Sequence, residues 1–290
     1  MRTKIIERII KKTEFSARER EGKMRKSVKE IEIEKEILKK LEGKPALTAS
    51  LIFDDDEIQT MQDYANTVSI KRLGYNDHGP VHMRKTARNA LIMFEILQQA
   101  GIKFSLEEEN IGTAEDSKIA VLMASLLHDI GMSVGRENHE ILGVVFANPI
   151  IERILAKIYP ENVEKRTIIH ALIIEAIAGH MGSKDIHSIE AGLVSIGDGC
   201  DMEKGRARVV FLLSHAPQVG DIHKYSANSI QKVVITKGEE KPIRIIVEMN
   251  ETVGFFQIEE VLFPKISDNP VKPYLELYGQ VINEELRRYL

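Results

Sequence analysis

One cysteine in 290 residues removes two explanations at once. Cys200 has no partner for an internal disulfide and cannot build a thiolate metal site by itself. Long apolar runs are missing too: no stretch reaches the roughly 18 consecutive apolar residues that a membrane span requires. The chain opens Met1-Arg2-Thr3-Lys4 and then alternates charge with isoleucine, a pattern without the apolar core of a secretory signal. There is no internal repeat and no low-complexity tract. These absences read as a cytoplasmic globular protein with no membrane segment, and its length leaves room for about two domains.

Charge of one sign is scarce only in places. Residues 1–43 carry 14 Lys/Arg against 9 Asp/Glu, which leaves the rest of the chain near −9 out of a total of −4. Acids and bases interleave in that first segment, as on a solvated helix, so nucleic-acid binding is not expected. Residues 1–45 therefore read as charged helices, with Gly22 as a break, Gly43–Pro45 as the stop, and a narrow apolar stripe through Ile31, Ile37, Leu38 and Leu41. Such a stripe would pack on the body or on a second copy of the chain.

Helical signals dominate residues 46–228. Asp54-Asp55-Asp56-Glu57 reads as an acidic helix start that complements the helix dipole rather than as a carboxylate metal site. Pro80 is placed to be the first residue of a helix ending at Gly101. Ser105–Glu108 and Thr113–Asp116 have capping-box spacing, and the second opens the apolar run Ala120–Leu127. A helix over 139–147, a restart at Pro149, a long apolar helix over 162–179 and a helix capped by Ser188 complete this part. After residue 230 the period changes. Lys232–Thr236 and Ile243–Met249 are β-branched runs separated by Gly238 and Pro242, which predicts a hairpin. A short helix over 253–263 and a third strand at Tyr274–Tyr278 would make residues 229–290 a small α+β module. The fold class is mainly α, with this module attached.

The chemistry concentrates where the apolar run ends. His128 and Asp129 follow Leu127 directly, and Gly131 comes next. An imidazole beside a carboxylate at the end of a buried helix is costly unless something compensates the desolvated acceptors. A divalent metal does so, and a nitrogen–oxygen ligand mixture suits a borderline or hard cation. His82, in the first turn after Pro80, meets the positive end of a helix dipole and is therefore expected neutral and able to coordinate. Asp198 lies between Gly197 and Gly199, which allow another element to approach closely.

His82-x-x-x-Thr86-Ala87, then His128-Asp129-Ile130-Gly131, then Asp198 resemble the HD-domain metal-dependent phosphohydrolase superfamily over about residues 75–205. The resemblance implies an all-helical body and assigns His82, His128, Asp129 and Asp198 to a divalent metal, with Asp201 as the competing carboxylate for the last position. His139-x-x-x-Gly143 and His180 resemble further ligands of the HD-GYP branch and other binuclear members. One or two ions are implied (Mn, Fe, Mg, Co, Ni or Zn), with Asp129 as bridge if there are two. There is no Gly-Tyr-Pro after His180, and Met132 stands where that branch commonly has lysine, so cleavage of cyclic dinucleotides is not implied.

The expected activity is hydrolysis of a phosphoester, mono- or diester, on a small phosphorylated substrate of nucleotide type, by metal-activated water with His128 and Asp129 at its centre. His78, Arg84, Arg206 and His223 are candidate substrate contacts; Lys85 and Lys71–Arg72 are further candidate phosphate clamps. His170 reads as structural. The competing reading is a non-catalytic sensor that binds metal and nucleotide and signals through its terminal segments. Homo-oligomerisation through the N-terminal helices or the C-terminal module is expected in either case.

Overall fold

A computed structural model describes residues 26–182, 185–204 and 221–290. The helices are α1 (Val28–Leu38), α2 (Gly43–Phe53), α3 (Asp56–Thr67), α4 (Pro80–Gln99), α5 (Ser105–Glu108), α6 (Ala114–Leu127), α7 (His139–Ile158), α8 (Val163–Gly179), α9 (Ile189–Gly199) and α10 (Asp221–Ser229). A sheet follows, with β1 (Ile230–Lys237), β2 (Ile243–Met249), β3 (Leu275–Val281) and the short β4 (Arg287–Arg288), and the turns α11 (Phe255–Gln257) and α12 (Phe263–Ser267) lie between β2 and β3. The fold is mainly α with a C-terminal α+β module, as the change of period implies. None of the described helices is long and apolar enough to cross a membrane.

The apolar run around Ala120–Leu127 has no polar face, and a helix apolar on all sides has to be covered on all sides. Helix α6 is the centre of the body, packed by α2, α4, α8 and α9. Its start is a capping box: Thr113 N–H donates to Asp116 Oδ2 at 2.9 Å, and Asp116 N–H donates to Thr113 Oγ1 at 3.4 Å. Asp116 is buried and also accepts from Tyr159 Oη and from Lys165 Nζ. Burial pushes its carboxyl up, but the bonds from Tyr159, Lys165 and Thr113 outweigh burial and hold it below the usual aspartate range.

Several local expectations are revised. Helix α7 runs through Pro149 without restarting. The proline lies on the exposed face, where the carbonyl four residues back can be hydrated instead of bonded. Ser105 is the first residue of α5 rather than its cap; its Oγ accepts from Ile189 N–H at 2.9 Å and ties α5 to the start of α9. Gly43, at φ 56°, begins α2 instead of ending the preceding segment. The buried face of α1 is Glu30, Ile33, Glu34 and Ile37, while Ile31 and Leu38 face outward. Gly22 and most of the charged N-terminal segment lie outside the described residues. Other expectations hold: Asp55 caps α3, Pro80 opens α4, and Ser188 caps α9.

Buried acids on α1 have a physical cause. Arg84 of α4 donates from Nε to Glu34 at 2.8 Å, from Nη1 to Gln62 at 2.8 Å and from Nη2 to Gln59 at 2.9 Å. Gln62 in turn donates to the Leu126 carbonyl at 2.7 Å, so the network reaches the end of α6. In the sheet, β1 and β2 pair antiparallel in the register Val233↔Val247, and β3 runs parallel to β2 in the register Ile245↔Leu277. A parallel partner needs a crossover, and residues 252–274 supply it as helical turns. The third strand is thus a little longer than its sequence pattern, and it joins as a parallel neighbour.

Two measurements check these interactions. Arg84→Ala leaves buried Glu34 with only Lys26 as its ion partner and strips Gln59 and Gln62 of their donor, and it is expected to cost about 3–5 kcal/mol in urea unfolding. Lys40→Ala, which breaks the solvent-facing pair with Glu95, is expected to cost about 1 kcal/mol or less. For Asp116, a folded-state pKa depressed below the unfolded one gives stability that is complete above the unfolded pKa of about 4 and lost as pH falls through the folded value. The stability advantage of wild type over Asp116→Asn should therefore shrink between neutral pH and pH of about 3, and an advantage independent of pH would refute the assignment.

Candidate metal centre

Each residue of the candidate site stands at or next to a helix end. His82 is in the first turn of α4, His128 caps the end of α6, His139 begins α7, His180 caps the end of α8, and Asp198 is in the last turn of α9. Asp129 follows His128 and starts the tight turn Ile130–Ser133. Asn138, in the left-handed region at φ 53°, turns the chain so that α7 can begin on His139. Helix ends need partners for their backbone groups anyway, and here the histidine rings themselves provide some of them.

The structure brings His82, His128, Asp129, His139, His180 and Asp198 together. His82 Nε2 lies 3.2 Å from His128 Nε2, 3.2 Å from Asp129 Oδ2 and 3.1 Å from Asp198 Oδ1. His139 Nε2 lies 3.2 Å from His180 Nε2 and 3.2 Å from Asp129 Oδ1, and His180 Nε2 is 3.6 Å from that same oxygen. Asp129 therefore turns one carboxylate oxygen to the pair His82–His128 and the other to the pair His139–His180. All four rings are at most 1% exposed.

What each ring does with its other nitrogen decides the chemistry. Nδ1 of His128 meets the Ser125 carbonyl at 2.9 Å, that of His139 the Arg136 carbonyl at 2.8 Å, and that of His180 the Ile177 carbonyl at 2.7 Å. Nδ1 of His82 meets Asp201 Oδ2 at 2.8 Å. Carbonyls and carboxylates only accept, so each Nδ1 carries the proton and each Nε2 presents a lone pair. Burial pushes His180 down to about 4, which keeps the ring neutral near pH 7. Burial would raise Asp129 and Asp198. The imidazoles of His128, His78 and His139 hold Asp129 well below the usual range instead, and Lys265, His82 and His128 do the same for Asp198. Buried Asp129 Oδ2 has no hydrogen-bond donor. Lone pairs facing each other at 3.2 Å around ionised carboxylates repel unless a cation lies among them. This acceptor-only cluster fits divalent cations, and His82, His128 and Asp198 form one group able to hold an ion while His128, Asp129 and His180 form another.

Close backbone approach makes the arrangement possible. A Cβ at Gly131 would stand 2.0 Å from the His139 carbonyl oxygen, and one at Gly143 would stand 3.1 Å from the His128 carbonyl oxygen. The turn after Asp129 and the start of α7 thus touch backbone to backbone, the reason for the His-x-x-x-Gly spacing. Gly197 does the same between α9 and α4, where a Cβ would come 3.0 Å from the Thr86 carbonyl oxygen.

The remaining candidates fare differently. Asp201 does not compete with Asp198; it holds the far side of His82 and is itself held by Lys85 Nζ at 2.7 Å, with Glu203 beyond at 3.0 Å. Lys85 is thereby engaged behind His82. The expectation that Arg84 meets phosphate does not hold either, because its guanidinium is buried against Glu34, Gln59 and Gln62. His78 lies edge-on to His82, ring centroids 5.8 Å apart, with Nδ1 2.7 Å from the Asn76 carbonyl. His170 remains outside the cluster. Arg206 and the side chain of His223 lie outside the described residues. One contributor had no sequence signal: Lys265 of α12 donates to Asp198 Oδ2 at 2.7 Å. The sole cysteine, Cys200, is buried, which pushes its thiol up and leaves it inert.

Comparison with known proteins agrees with this geometry. The HD domain family matches residues 81–203, a range that contains all six clustered residues. The chain belongs to the HD-domain family. The HD domain is in general a fold of metal-dependent hydrolases. The uncharacterized protein MJ1020 of Methanocaldococcus jannaschii is 38% identical over 250 residues, 86% of this chain and 94% of its own. Ribonuclease Y of Clostridium tetani is 30% identical over 139 residues, 47% of this chain and 24% of its own. No solved structure gives a significant match.

The backbone contact at Gly131 yields a test. Gly131→Ala cannot be accommodated without moving α7 away from the His128–Asp129 turn, so metal uptake is expected to fall by about tenfold or more, with a lowered melting temperature. Ala substitution at Gly135, where a Cβ meets nothing, should leave metal uptake unchanged. Equal behaviour of the two variants in a Mn(II) titration would contradict this account of the HD-domain site.

Proposed function

We propose that this HD-domain protein is a phosphohydrolase that cleaves a phosphoester, on a small phosphorylated substrate of nucleotide type, with one or two divalent cations held by His82, His128, Asp129, His139, His180 and Asp198. The observation that carries the reading is Asp129, whose two oxygens face two separate imidazole pairs. Cations 3.5–4 Å apart are the usual spacing of two-metal hydrolases, and one carboxylate can join them. When bound, a divalent cation supplies acidified water near neutral pH and offsets the charge that develops on phosphoryl oxygens.

The chain's own residues do the rest. The Nδ1–H bonds of the four histidines fix their tautomers and ring angles, so no reorganisation is needed on binding an ion. Glu203, Lys85 and Asp201 form a chain of charge-assisted bonds that holds His82 from behind. Burial excludes bulk water and strengthens each of these interactions. His78, at the edge of His82, is assigned as a substrate contact. The stretch shared with ribonuclease Y supports a phosphoester as the reacting group, because that protein is a ribonuclease. We further expect a cytoplasmic protein that self-associates through its N-terminal helices or C-terminal module.

Asp129→Asn tests the reading directly. The substitution keeps shape and removes the charge shared by both imidazole pairs. Hydrolysis of bis-p-nitrophenyl phosphate by Mn(II)-loaded protein is expected to fall by about a hundredfold or more, with circular dichroism unchanged. Wild-type protein that hydrolyses neither this ester nor any nucleotide with Mn, Fe, Mg, Co or Ni, yet changes conformation on binding a nucleotide, would replace the enzyme with a sensor.

A further inference from the structure

Lys265 is the feature that the proposed function leaves unused. It lies in the C-terminal module, on α12, far along the chain from the six clustered residues, yet its ammonium is buried inside their shell. Nζ donates to Asp198 Oδ2 at 2.7 Å and to the His180 carbonyl at 2.5 Å. The second acceptor is at the C-terminal end of α8, where the helix dipole favours a cation. A buried lysine is rare unless paired, and this one joins one residue from each half of the cluster.

The body is shaped to receive it. A Cβ on Gly192 would stand 2.3 Å from Asn269 Oδ1, one on Gly199 would stand 3.0 Å from Lys265 Cδ, and one on Gly182 would stand 3.5 Å from Lys265 Cα. Asn269, also buried, donates to the Gly192 carbonyl at 3.2 Å and to the Lys265 carbonyl at 2.9 Å, which locks the lysine's turn onto α9. Gly199 thus lies against the lysine's side chain, while Gly192 and Asn269 seat the turn that carries it. Asp198, meanwhile, divides its carboxylate: Oδ1 faces His82 at 3.1 Å and Oδ2 faces Lys265.

We propose that Lys265 is a positioning residue of the metal centre, occupying Oδ2 of Asp198 so that this carboxylate offers only Oδ1 to the ion held with His82 and His128. The inference rests on the metal-centre reading given above. Two effects follow from its position. Asp198 would serve any bound ion through Oδ1 alone. The ammonium also offsets one of the two carboxylate charges, so the centre binds its cation less tightly than its ligands alone would allow.

The test is Mn(II) binding by the full-length protein at pH 8, measured by the EPR signal of free Mn(II), for wild type, Lys265→Met, Lys265→Gln and Lys265→Arg. Removing the ammonium takes its bond away from Asp198 Oδ2 and adds net negative charge, so Lys265→Met and Lys265→Gln are expected to bind Mn(II) about tenfold more tightly, while Lys265→Arg stays near wild type. A lysine that merely holds the module in place would give the opposite sign, weaker binding in Met and Gln. Weaker or unchanged affinity in a folded Met or Gln variant overturns the proposal. Should both variants fail to fold, a crystal structure of Mn(II)-loaded wild type decides: Asp198 ligating through Oδ1 alone, with Lys265 on Oδ2, supports it, and chelation through both oxygens refutes it. No Mn(II) binding by wild type would instead overturn the metal-centre reading itself.

Discussion

Everything in the helical body serves the desolvation of one carboxylate. Asp129 is 2% exposed and faces four imidazole nitrogens. An ionised group so buried persists only where positive charge accompanies it. At His128, His139 and His180 the Nδ1–H is committed to a backbone carbonyl, and burial keeps His180 neutral. A divalent cation, of the kind that HD domains typically bind, would reconcile the burial of Asp129 with its ionisation. The hydrophobic packing of α6 against α2, α4, α8 and α9 supplies the stability that allows so polar a centre to be assembled.

The helix ends explain why the site lies where it does. Five separate helices terminate around Asp129, and at three of these ends a histidine gives its Nδ1 proton to a carbonyl three residues back along the chain. At the ends of α6 and α8 the same bond satisfies an orphan carbonyl and sets a tautomer, while the Arg136 carbonyl that His139 reaches lies just before α7. Local chain chemistry and ligand geometry are one arrangement here, which is why the spacing from His128 to Gly143 is so tight. The backbone contact at Gly131 then leaves no slack between the two imidazole pairs.

Legibility followed the range of the signal. The apolar run before His128, Pro80 at a helix start, the Thr113 capping box and the β-branched hairpin are local patterns, and each appears where its pattern points. The gathering of six residues was readable only because their order resembles a family. What escaped was non-local. Nothing in the local sequence around Lys265 marks it as a partner of Asp198. Arg84 read as a substrate contact because the glutamate and glutamines that bury it come from α1 and α3. Pro149 looked like a break because whether its face is wet or dry is a tertiary property.

The span of the cluster along the chain has a kinetic consequence. His82 meets Asp201 across 119 residues, and Asp198 meets Lys265 across 67. Contacts of such separation close late, after local helices have formed and the ordering entropy of long loops has been overcome. The parallel pairing of β2 with β3, which carries Lys265 in its crossover, belongs to the same slow class. During refolding, helical signal should therefore recover before the ability to capture an ion. Metal uptake would report closure of the helical body around Asp129 in a way that secondary structure does not.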